Sequence, residues 1–181
     1  MKIVQLKLFY STKEETIMKI TKILFTLALL AVAGTASASG LYAGASIGST
    51  SYKSGVSGTE TGGKAFVGYQ LTPVIGAEVD YVNLGSAHGV RSQGATADLT
   101  GRLPLGRLGV FGKVGVADMQ LNGAANQGYQ IGAHYGVGAD YALTSKASLR
   151  VEAERFQKAG DATPTATPRA NLYSAGLQYK F

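Results

Sequence analysis

Residues 129–141 read YQIGAHYGVGADY, and the governing period is two. Tyr129, Ile131, Ala133, Tyr135, Val137, Ala139 and Tyr141 form one apolar row, while Gln130, Gly132, His134, Gly136, Gly138 and Asp140 form a row that is polar or bare. Strict alternation over this length is the pattern of a β-strand with two unlike faces. The split recurs in Ala77, Val79 and Tyr81 against Glu78 and Asp80, and in Leu149, Val151 and Ala153 against Arg150, Glu152 and Glu154. It returns at the end of the chain, where Ala175, Leu177, Tyr179 and Phe181 alternate with Ser174, Gly176, Gln178 and Lys180.

Extending this reading outward gives eight strands, near Leu41–Ser49, Lys64–Leu71, Val74–Leu84, Ala95–Leu103, Leu108–Met119, Gly128–Leu143, Ala147–Gln157 and Ala170–Phe181. Connections are short after strands two (Thr72-Pro73), four (Pro104 to Arg107) and six (Thr144 to Lys146), and long and polar after the odd-numbered strands. An even number of strands with short turns at one end and long loops at the other predicts an all-β fold, an eight-stranded antiparallel up-and-down transmembrane β-barrel. Helical periodicity is absent, and the Gly40, Gly44 and Gly48 spacing reads as one glycine row on a strand face.

Alternation alone leaves the faces open, because a soluble lipocalin-like carrier has the same period with the apolar row inside. Volume and charge favour the membrane. An eight-stranded barrel has room inside for side chains or one small ligand, and rows of Tyr, Val, Leu and Ile would crowd it. The polar row mixes signs: Glu78, Asp80, Asp98, Asp140, Glu152 and Glu154 are placed to meet Lys64, Arg102, Lys113, Arg150 and Lys180 across a narrow lumen, where buried charges persist when paired. Tyr69, Tyr81, Tyr129, Tyr141 and Tyr179 on the other face are candidates for aromatic girdles at the membrane interfaces.

The first 38 residues read as an address. From Met18, Lys19 and Lys22 make a positive start, Ile23 to Ala33 an uncharged run, and Ala36-Ser37-Ala38 a small-residue cleavage site. That run is far shorter than the roughly 20 residues of a membrane-spanning helix. Residues 1–17 suit a signal poorly, so Met18 is the expected true start, residues 1–38 an extension plus signal peptide, and residues 39–181 the barrel. Five lysines and two glutamates fall in this leader, leaving 12 basic and 9 acidic residues, a net of +3, in the rest.

Composition removes several functions. Charged residues are only 15% of the chain, against 25 glycines and 10 tyrosines, too apolar for a disordered chain and undercharged for an ordinary soluble one. No basic run interleaved with aromatics marks a nucleic-acid binder. Without cysteine there are no disulfides, thiolates or cysteine-based zinc sites. No cofactor or metal is expected, since His88 and His134 lack ligand spacing. Gly58 to Ala65 imitates a phosphate-binding loop, but Ala65 stands where Ser or Thr should be, and no helix follows.

Three stretches resemble the OmpA-like transmembrane barrel family of outer-membrane proteins. Lys64 to Gly85 (KAFVGYQLTPVIGAEVDYVNLG) looks like its second and third strands, Gly136 to Arg155 (GVGADYALTSKASLRVEAER) is similar to its sixth and seventh, and Tyr173 to Phe181 ends in its terminal aromatic. The resemblance implies a monomer in the outer membrane of a Gram-negative bacterium, among lipid and lipopolysaccharide. It implies that Leu177, Tyr179 and Phe181 are read by the barrel-assembly machinery. A full-length OmpA continues into a periplasmic domain, and this chain stops at its last strand, so cell-wall tethering is not carried over. A non-enzymatic envelope protein, with outer loops for adhesion or surface recognition of a host ligand, is the implied role. A lipid-modifying barrel enzyme using His88 or His134, a soluble carrier and a narrow pore are the alternatives.

Overall fold

The computed structural model describes residues 40–53, 58–87, 90–122, 127–157 and 169–181. Met18, the proposed signal and its cleavage residues Ala36 and Ala38, His88 and residues 158–168 lie outside the described residues. Eight strands follow one another: β1 (Leu41–Lys53), β2 (Gly58–Gln70), β3 (Ile75–Ala87), β4 (Val90–Leu105), β5 (Leu108–Asn122), β6 (Gln127–Ala142), β7 (Ala147–Gln157) and β8 (Arg169–Lys180). Each pairs antiparallel with its neighbour in sequence, and β1 pairs with β8 from Tyr42↔Lys180 to Lys53↔Arg169, so the sheet closes into a barrel without an edge.

Two of the short turns share one construction. In Leu71-Thr72-Pro73-Val74 the Thr72 hydroxyl accepts from the amides of Val74 (3.3 Å) and Ile75 (2.9 Å). In Leu143-Thr144-Ser145-Lys146 the Thr144 hydroxyl accepts from Lys146 (3.2 Å) and Ala147 (2.9 Å). A threonine that satisfies the turn amides from within fixes the register of both hairpins. The third turn is tighter than the sequence suggests. Strand β4 runs through Pro104 to Leu105, and Gly106-Arg107 makes a two-residue connection with Gly106 at φ 68°, a backbone conformation that suits glycine at the first turn position.

At the opposite end β1 to β5 extend three to six residues beyond their expected limits, with β2 starting at Gly58 rather than Lys64. Much of what reads as long polar loop is therefore strand. Its sequences, such as Gly58-Thr59-Glu60-Thr61-Gly62, lack alternation because neither face there is constrained by lipid. The phosphate-loop look-alike Gly58–Ala65 lies wholly within this extended β2. Strand β3 carries a register shift between Asn83 and Ser86, with Gly85 at φ 84° and its amide donating to the Asn83 side chain at 3.0 Å.

Side-chain parity settles the faces. Ile47, Leu99, Val114 and Val137 are 68%, 63%, 62% and 64% exposed on the outer wall, whereas Lys64, Glu78, Asp80, Lys113, Arg150, Glu152 and Glu154 are buried inside. An apolar exterior around a charged interior is the arrangement a bilayer requires and water does not tolerate over so large an area. The lipocalin-like alternative, which needs the apolar row inside, falls on this placement.

Candidate functional site

The lumen is the part of the barrel with chemistry, and it is built in three layers. Tyr42, Phe66 and Phe111 occupy the end near the short turns, ion pairs fill the middle, and Val82, Leu84, Ala117, Met119, Phe156, Ala170 and Leu172 form a fully buried apolar cluster toward the other end. Tyr52 packs against that cluster and donates its hydroxyl to the Leu84 carbonyl at 3.0 Å.

Arg150 is the hub of the middle layer. Its guanidinium grips Glu78 with both terminal nitrogens (2.7 and 2.9 Å), reaches Glu152 at 2.8 Å and donates to the Gln178 side chain at 3.1 Å. It is sandwiched by the Phe66 and Phe111 rings, 4.4 and 4.3 Å from their centroids, and Tyr42 donates to the same Glu78 at 2.9 Å. Bidentate pairing plus aromatic stacking is what a planar guanidinium provides and a lysine does not. Lys113 contacts Asp80 (2.6 Å), Glu78 (3.2 Å) and Glu154 (2.5 Å). Lys64 contacts Glu154 (2.9 Å) and Asp80 (3.6 Å) and pairs closely with Glu152. Asp98 accepts from Thr96 at 2.8 Å and meets Nδ1 of His134 at 2.8 Å, while the His134 ring stacks on Phe156 at 4.4 Å.

Of the residues proposed for a lumen network, the structure thus brings together Lys64, Glu78, Asp80, Lys113, Arg150, Glu152 and Glu154, and links Asp98 to them through His134, whose Nε2 is 3.4 Å from Glu154. Arg102 and Asp140 form a separate pair at 2.5 Å nearer the short turns. Lys180 is only half-buried and forms no salt bridge among the described residues; it sits at the end of β8, where the lumen opens. Beside Arg102 the remaining cavity is about 20 Å³, room for a single water.

Sequence reasoning missed the aromatic members. Tyr42, Phe66, Phe111 and Phe156 share the parity of inward Gly44, Lys64, Lys113 and Glu154, each two residues away, but parity within one strand does not show the room they need. Space for them comes from glycines on adjacent strands. A β-carbon on Gly44 would run into the Phe66 ring, one on Gly68 into Tyr42, one on Gly138 into Phe111 and one on Gly109 into Arg102. The glycine row and the large inward side chains are two halves of one packing scheme.

On the wall, Tyr69, Tyr81, Tyr141 and Tyr179 are all exposed and face outward, as do Tyr135, Tyr173 and Phe181; the side chain of Tyr129 lies outside the described residues. Leu177, Tyr179 and Phe181 make one outward row on β8, with the Tyr179 and Phe181 rings edge to face at 5.2 Å.

Comparison with known proteins fits this geometry. Residues 23–181 match the family model described as outer membrane protein beta-barrel domain. No curated protein matches the chain in sequence. Among solved structures, neisserial surface protein A superposes with a TM-score of 0.63 at 18% identity, covering 79% of this chain and 98% of its own. The N-terminal β-barrel domain of Pseudomonas aeruginosa OprF gives 0.56 at 14% identity, over 77% and 97%. The attachment invasion locus protein Ail of Yersinia pestis gives 0.54 at 10%, over 78% and 99%. At such identities the likeness is one of fold. The family match over nearly the whole chain, the closed eight-stranded barrel and its apolar exterior lead to one assignment: the chain belongs to the outer membrane protein beta-barrel domain family.

Proposed function

We propose that this protein is a non-enzymatic, monomeric outer-membrane barrel with a closed lumen, serving envelope integrity and surface recognition rather than transport. The observation that carries this reading is the layering of the lumen. Each carboxylate of the middle layer already meets Lys64, Lys113, Arg150 or His134, and the side chains of Leu84, Met119, Phe156 and Leu172 beyond them bring no polar atom to replace an ion's hydration.

Among the described residues, His134 has no nucleophile beside it. His134 has a ring nitrogen toward each of two carboxylates, Asp98 and Glu154, so its geometry is that of a cross-link rather than a base beside a nucleophile. Recognition would fall to the end carrying the extended strands and the segment 158–168, whose Ala-Thr-Pro repeats are uncharged and suited to exposure. Leu177, Tyr179 and Phe181, outward and in a single row, are the residues we assign to recognition by the assembly machinery after export and cleavage behind Ala36-Ser37-Ala38.

Planar-bilayer recording tests the closed lumen. Purified barrel inserted at high salt is expected to leave the baseline current unchanged; steady steps of uniform size would overturn the reading in favour of a pore.

A further inference from the structure

We propose that the outer wall of β6, β7 and β8 carries a binding site for the phosphate groups of a phosphorylated glycolipid in the outer leaflet, with Arg155 and Arg169 as its ligands. This rests on the outer-membrane reading above and names one lipid contact within it.

On β7 the outward residues run Leu149, Val151, Ala153 and then Arg155; on β8 they run Leu177, Ala175, Tyr173, Asn171 and then Arg169. Arg155 stands eight residues above Ala147, which at about 3.3 Å per residue and a tilt of about 40° is about 20 Å along the barrel axis. That places it at the upper margin of an apolar band about 25 Å tall, where headgroups begin. Register sets Arg155 opposite both Tyr135 and Asn171, and Gln157 opposite Arg169. The two arginines are therefore diagonal neighbours, about 7–8 Å apart at their α-carbons.

Three features make this a site rather than two surface charges. Arg155 lines a groove of about 290 Å³ with Tyr135, Val137, Ala153, Glu154, Asn171 and Tyr173. Its Nε is buried without a hydrogen-bond partner, and among the described residues it has no ion pair. No Asp or Glu side chain faces outward on β6, β7 or β8; Glu154 contributes to the groove lining, but its carboxylate is fully buried on the lumen side against Lys64 and Lys113. Tyr135, tethered by a 3.3 Å hydrogen bond from Gln157, and Tyr173 flank the groove. A guanidinium facing the lipid interface without an acid is matched by phosphate, which it can bind through two parallel hydrogen bonds, and interfacial tyrosines suit a sugar headgroup over an acyl chain.

The test uses the full barrel folded into phosphatidylcholine vesicles, with or without bisphosphorylated lipid A, and follows the temperature at which the folded gel band is lost. Lipid A is expected to raise that midpoint by at least about 5 °C, and its dephosphorylated form or added inorganic phosphate to leave it unmoved. Arg155→Gln with Arg169→Gln should fold and melt normally in phosphatidylcholine yet lose most of the gain. Arg107→Gln, a charge removed at the opposite end, should keep it. No gain in the wild type, an equal gain with free phosphate, a gain retained by the double variant, or an equal loss in Arg107→Gln would each overturn the site. Failure of the wild type to fold into plain phosphatidylcholine would instead bring down the membrane reading, and the site with it.

Discussion

Replacing Arg150 with alanine is expected to destabilise the barrel by about 3–5 kcal/mol, the usual cost of leaving a buried charge without its partner. The middle of the lumen holds five carboxylates, Glu78, Asp80, Asp98, Glu152 and Glu154, and three permanent cations, Lys64, Lys113 and Arg150. Lys64 and Lys113 already share Asp80, Glu152 and Glu154. Glu78, by contrast, receives two of its bonds from Arg150 alone. Removing the guanidinium also empties the space between Phe66 and Phe111, adding a cavity to an uncompensated charge. Urea unfolding in lipid vesicles, followed by far-ultraviolet circular dichroism, measures the loss. Combining Arg150→Met with Glu78→Gln should recover most of it, because that pair refills the gap and removes the stranded charge together. A single Arg150→Ala within about 1 kcal/mol of the wild type would mean that the network is ornamental to stability.

The second large effect is steric. Gly138→Val is expected to cost at least about 1–3 kcal/mol, the range for overpacking a filled interior, and to lower the yield of folded barrel. Its β-carbon would meet the Phe111 ring, the Val151 carbonyl at 2.6 Å and the Glu152 side chain at 2.9 Å. Backbone cannot yield as a long side chain can, and Phe111 cannot move without disturbing Arg150. Gly101 supplies the control. It faces outward, and nothing lies within 4 Å of where its β-carbon would stand. Gly101→Val should therefore fold as well as the wild type or better, since a β-branched residue favours a lipid-facing strand. Both are read from the folded fraction on an unheated gel. Equal behaviour of the two variants would contradict the assignment of inward and outward glycines.

How much of this was legible before the structure depends on where a residue sits. At the short-turn end the pattern locates strand limits within a residue or so, with Leu41, Leu108 and Ala147 all true strand starts, because lipid on one side and packing on the other impose alternation. Past the bilayer margin that constraint lapses, and stretches such as Thr59 to Gly63 look like loop while their backbone continues the sheet. The lumen charges are legible from parity and sign, and so is the outward tyrosine row. The apolar filling is not, because the expectation that bulky residues would crowd the lumen treats each strand separately. Tyr42, Phe66 and Phe111 fit only because Gly68, Gly44 and Gly138 lie beside them on other strands, and that pairing depends on register, which a single strand does not reveal.

Both the closed lumen and the lipid site depend on the apolar row facing lipid in the outer membrane. The most direct test is to express the chain from Met18, separate the outer membrane from the periplasm, and run each fraction on a gel with and without boiling. Protein is expected in the outer-membrane fraction only, with a compact unheated band that shifts on boiling, the sign of a closed barrel resisting detergent until heated. Soluble periplasmic protein with the same mobility in both lanes would contradict it.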